Sequence, residues 1–132
     1  SKAKTALARA HYEETLRLCD ANDYFGHSHW SLWRSLAETR LADFDIERGG
    51  EYLDDAEERL IFAIRDNPND PEPLRKLVRL YLLKKDPDSA ADELNEAEGS
   101  EEGSPLGKEE TVQLRQEIDQ VRRLQKIQAS GD

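Results

Sequence analysis

With 132 residues the chain is one domain's worth, enough to bury a real core but not two. Apolar and charged residues each make up 36%, a balance that suits helices with thin hydrophobic seams better than a thick sandwich. Asp and Glu total 29 against 19 Lys and Arg, and the resulting charge of −10 argues against generic nucleic-acid or anionic-membrane binding, which need a dominant basic face.

The single cysteine, Cys19, leaves no partner for a disulfide and no basis for a multi-cysteine metal site. It reads as a small buried apolar residue on a helix. No apolar run approaches the ~18 residues that span a bilayer, so no membrane insertion is expected. Ser1-Lys-Ala-Lys leads straight into an amphipathic segment without a signal-peptide pattern, which gives a cytoplasmic expectation. A chain that lacks methionine and starts at Ser1 also reads as a processed form or a piece of a longer protein.

In chain order, residues 2 to about 20 form a first helix, with Ala3, Ala6, Leu7, Ala10, Leu16 and Cys19 near helical spacing. Asp20-Ala-Asn-Asp23 ends it with turn-prone residues. Tyr24-Phe-Gly-His-Ser-His-Trp30 is rich in aromatics. His27 and His29 have the look of metal ligands, yet no cysteine or carboxylate cluster accompanies them, so no metal is expected. Tyr24, Phe25 and Trp30 instead pack the joint between the first two helices.

Ser28 or Ser31 caps a second helix, on which Trp33, Leu36, Ala37, Leu41 and Phe44 form an apolar stripe that ends before Gly49-Gly50. A third helix covers about Glu51 to Asn67. Tyr52, Leu53, Ala56, Leu60, Ala63 and Ile64 face inward on it, and Ile61 and Phe62 offer a second contact surface. Asn67-Pro-Asn-Asp-Pro71 breaks the chain. Asp70 is placed to cap the next helix and Pro71 to occupy its first position, where no N–H donor is needed.

A fourth helix runs from Pro71 to about Lys85 with Leu74, Leu77, Val78, Tyr81 and Leu82 inward. After the turn Asp86-Pro87-Asp88, a fifth helix to Glu98 buries Ala90, Ala91, Leu94 and Ala97. Residues 99–107 form a flexible acidic loop, and a last helix over about 108–128 caps the domain with Val112, Leu114, Ile118, Val121, Leu124 and Ile127.

Residues 71–98 resemble a tetratricopeptide repeat, a helical hairpin with bulky, small and aromatic residues at fixed offsets over a period of about 34 residues. Leu74, Leu77, Val78 and Tyr81 match its first helix, and Ala90, Leu94 and Ala97 its second. An earlier, longer copy over 30–68 carries Trp33, Leu36 and Ala37, then Ala56, Leu60, Ala63 and Pro68. The resemblance implies an all-α fold. About six helices pair as antiparallel hairpins and stack as a short tetratricopeptide-like α-solenoid, a single domain over 1–132 with 1–29 as a flanking helix and aromatic loop.

It also implies a protein–protein interaction adaptor whose concave groove holds a partner peptide or helix. That groove takes Ser31, Arg34, Glu38 and Leu41 from one repeat and Glu72, Arg75, Arg79 and Leu82 from the other. Arg34, Arg75 and Arg79 would hold the carboxylates of an acidic peptide or a chain terminus by bidentate hydrogen bonds. The alternative is that these arginines pair with their own acidic neighbours.

Charge varies along the chain. From Pro71 to Asp86 five basic residues face two acidic ones, while from Pro87 to Glu110 one basic residue faces nine acidic ones. No phosphate loop, nucleophile elbow or two-histidine metal helix is present, so neither catalysis nor a cofactor is expected. The other reading of function is an assembly subunit that uses the C-terminal helix as its interface, within a larger complex or an oligomer.

Overall fold

A computed structural model describes residues 1–22 and 28–131. The expected aromatic packing around Tyr24 and Phe25, together with His27, lies outside the described residues, as does the side chain of His29. Six α-helices and no strand are found among the described residues. They are α1 (Lys2–Asn22), α2 (Ser28–Arg48), α3 (Tyr52–Asp66), α4 (Pro71–Leu83), α5 (Pro87–Glu98) and α6 (Lys108–Ser130). The chain forms two compact units, Ser1–Pro73 and Leu74–Asp132, with the division inside α4.

In the first unit α2 packs against both α1 and α3. Of the stripe expected on α1, Leu16 and Cys19 face inward, joined by Arg9 and Tyr12, whereas Ala3, Ala6, Leu7 and Ala10 are exposed. The reason is aromatic: Tyr12 packs 6.5 Å from Phe44, and the Arg9 guanidinium lies 5.5 Å over the same ring. Those contacts rotate a weakly amphipathic helix away from its small residues.

The buried side of α2 also differs from its apolar stripe. Ala37, Leu41 and Ala42 are buried, but so are Ser35, Glu38, Thr39 and Asp45, while Trp33 is half-exposed. A helix covered on two sides buries more than one stripe, and its polar residues must find partners there. Ser35 Oγ donates to Ala63 O across to α3 at 2.8 Å, and Thr39 Oγ1 donates to Ser35 O at 2.7 Å.

Gly49 and Gly50 adopt φ of 72° and 55°, left-handed values that let the chain reverse between α2 and α3. On α3, Ala56, Leu60 and Ala63 are fully buried, whereas Tyr52, expected inside, is exposed beneath the Arg48 guanidinium. Asp70 accepts the Glu72 N–H at 3.0 Å, which caps α4 as its position suggests.

In the second unit Leu74, Leu77, Val78, Leu80 and Tyr81 are buried on α4, and Ala90, Ala91 and Leu94 on α5. Between these helices the chain closes a Schellman turn, with Lys85 N–H donating to Leu82 O and Asp86 N–H to Tyr81 O. This requires φ of 64° at Lys85. Asp86 is the N-cap of α5, accepting Ser89 N–H at 3.1 Å, and Pro87 takes the first helical turn, so the helix starts one residue earlier than expected.

The segment 99–107 is exposed over 99–103 and turns inward at its end. Leu106 is buried, and Ser100 Oγ bonds to both Ala97 O and Gly103 O. Beyond it, Leu114 and Ile118 bury α6 against α5.

Candidate functional site

The residues expected to line a groove fall in different environments. In the first unit Arg34 bonds Asp66 through Nε and Nη2, both at 2.8 Å, and lies 3.7 Å from Asp20. It joins α1, α2 and α3 at one end of the unit. Glu38 is 8% exposed and Leu41 2%. Leu41 is therefore core, and Glu38 faces Arg59 of α3 rather than open solvent.

Arg59 spans two carboxylates, with Nε 3.0 Å from Asp45 and Nη1 3.3 Å from Glu38. Burial pushes both carboxyls above the usual carboxylate range, and the Arg59 charge only partly offsets it. Glu72 accepts from Arg40 at 2.7 Å, and that bond holds the guanidinium pKa above its ordinary value. On α2, Leu41 is core and Arg34 and Glu38 are paired within the first unit, while Ser31 is half-buried.

The second unit brings the other candidates together. Arg75 Nε donates to Glu110 of α6 at 2.7 Å, and Arg79 lies 3.5 Å from Glu117. On the opposite flank of α6, Arg115 pairs with Glu98 and Arg122 with Asp88, both on α5. The order of these pairs sets the direction of the helix. The α4 pairs ascend together along both helices, and the α5 pairs run in opposite order, so α6 runs parallel to α4 and antiparallel to α5. Between the two charged flanks, Leu114 and Ile118 form the buried ridge.

Glu110, Glu117 and Leu124 recur every seven residues and so share one side of α6. Their counterparts on α4 are Arg75, Arg79 and the pair Leu82–Leu83, spaced to share one side of that helix. The α4–α6 seam carries two ion pairs, and one step further along each helix the residues are leucines. Gln125 Nε2 donates to Lys85 O at 2.9 Å, which fixes this end of α6 beside the α4–α5 turn.

There the apolar side chains are uncovered: Leu83 is 55% exposed, Leu124 51% and Ile127 65%. Glu117 Oε2 is buried yet makes no hydrogen bond among the described residues, so its 3.5 Å link to Arg79 is an ion pair, looser than the 2.7 Å bond between Arg75 and Glu110.

The sequence alone points to Arg75, Arg79 and Leu82 as surface candidates but not to Glu110, Glu117, Leu83 and Leu124. The signal for three of these was present as the seven-residue spacing on the last helix, opposite an i, i+4, i+7 set on the fourth.

Among the described residues, no group of three or more His, Cys, Asp or Glu side chains is placed to hold a metal ion. None of the described helices is long and apolar enough to cross a membrane. No family model, curated protein or solved structure matches the chain.

Proposed function

We propose that the chain is a protein–protein interaction module of tetratricopeptide-like helical hairpins, and that its contact surface is the apolar end of the α4–α6 seam. The observation that carries this reading is the exposure of Leu83 at the end of α4 and of Leu124 and Ile127 near the end of α6, two ends that the Gln125–Lys85 hydrogen bond holds side by side. Large apolar side chains grouped on a surface lower their free energy when another protein covers them. The direction of α6 supports the hairpin reading, since the first helix of a following repeat runs parallel to the first helix of the repeat before it. Under this reading an adaptor and an assembly subunit use the same surface, and they differ only in how long the partner stays.

The test compares the chain with its Leu124→Gln/Ile127→Gln variant as immobilised baits. Both positions are already exposed, so the variant keeps its fold, which circular dichroism checks. A partner held by the parent chain and lost by the variant supports the assignment. Equal retention overturns it. Point changes are the better probe here because removing α6 would also uncover what Leu114 and Ile118 bury.

A second reading keeps an acidic peptide on the α4 side of the seam, where Arg79 is about half exposed and loosely paired. Arg79→Glu would then weaken binding, while Leu124→Gln/Ile127→Gln would leave it intact.

A further inference from the structure

We infer that the partner element seated on Leu83, Leu124 and Ile127 is an acidic amphipathic helix, a step that rests on the interaction-surface reading above. The argument is charge complementarity around an apolar centre. The turn 83–88 and the C-terminal part of α6, 121–130, together hold five basic residues against two acidic ones, in a chain of net charge −10. Both acids are already engaged: Asp86 caps α5 and Asp88 pairs with Arg122. Among the described residues, Lys85, Arg123 and Lys126 have no carboxylate within ion-pairing distance, although acids outnumber bases by ten across the chain.

An apolar patch rimmed by unpaired cations fits a helix with two or three large apolar side chains on one face and Asp or Glu beside them. The rest of this acidic chain repels such a helix, so its approach is steered to this end.

The same charges disfavour a second copy of the chain as occupant. A two-fold contact sets a patch against itself, which would bring Arg123 and Lys126 against their own equivalents.

The experiment uses the full 132-residue chain and three labelled peptides of one apolar pattern. Their flanking positions are Glu, Gln or Lys. Binding is read by fluorescence anisotropy, and the binding surface is mapped by amide chemical shifts. The acidic peptide is expected to bind at least about tenfold more tightly than the Gln peptide, with an advantage that shrinks as salt rises. Shifts are expected at residues 82–86 and 121–130, and Arg123→Glu/Lys126→Glu should abolish the preference.

Equal binding of the Glu and Gln peptides at these residues overturns the acidic assignment while leaving the interaction surface standing. Preference for the Lys peptide, or shifts confined to other residues, overturns the inference. So does concentration-dependent sedimentation as a dimer through this end, or binding to anionic lipid vesicles in preference to the acidic peptide. Absence of binding by every peptide, with partner capture unaffected by Leu124→Gln/Ile127→Gln, removes both readings.

Discussion

Replacing Arg59 with Met tests how the first unit tolerates acid in its interior. Arg59 is the cation that faces two buried carboxylates, Glu38 at 3.3 Å and Asp45 at 3.0 Å. Methionine keeps much of the aliphatic stem and removes the charge. Taking one partner from a buried ion pair costs about 3–5 kcal/mol because the other is left uncompensated. Arg59 is itself 30% exposed, so water screens part of that loss, and about 2–3 kcal/mol is the expected cost at pH 7.

The pH dependence separates charge from packing. Burial raises both carboxyl pKa values, so just above the ordinary carboxylate range the folded state holds more protons than the unfolded chain. Stability contributed by these groups is greatest at low pH and falls as pH rises through that interval. Without Arg59 the pKa values rise further and the fall steepens, so the cost of the substitution should shrink to less than about 1 kcal/mol near pH 4.

Urea unfolding followed by tryptophan fluorescence is the assay. Trp30 and Trp33 are the only tryptophans, and both lie on α2 in the first unit. An equal loss at pH 4 and pH 7 would refute the reasoning and assign the effect to the packing of the stem.

Three further outcomes follow from the same contacts. Arg34→Lys keeps a charge near Asp66 but forfeits the paired bonds from Nε and Nη2, and should cost about 1–2 kcal/mol by urea unfolding. Lys85→Gly relieves a left-handed φ of 64° and should stabilise the second unit by about 1 kcal/mol, read as a higher melting temperature. Asp86→Ala removes the α5 N-cap at a cost of about 1 kcal/mol. The bonds from Ser89 lower the Asp86 pKa, so this contribution is present above the ordinary Asp value and lost as pH falls through the lowered one. The parent and variant melting temperatures should therefore converge in strong acid.

Six helices, their order and most of their ends are legible in the sequence because they depend on neighbours along the chain. Gly49-Gly50 needs only its own freedom to reverse direction, Asp70 reaches an N–H two residues ahead, and the alanines of α3 recur at helical spacing. Local chemistry decides these features, so reading in order finds them.

Which side of a helix is covered, and by what, depends on contacts between distant residues. The sequence shows Trp33 and Leu41 on one stripe of α2, but only packing against both α1 and α3 makes Leu41 core, leaves Trp33 half-exposed and gives Glu38 a cation. The charges of Arg75 and Arg79 are likewise legible; their ion pairs with Glu110 and Glu117 exist only once α6 folds back alongside α4. By itself the sequence determined an all-helical chain with a basic fourth helix and an acidic stretch after it. Tertiary structure decided which charges meet: Arg75 and Arg79 of α4 face Glu110 and Glu117 of α6, while Asp88 and Glu98 of the acidic stretch pair with Arg122 and Arg115 of α6. It also left Leu83, Leu124 and Ile127 exposed at the ends of α4 and α6.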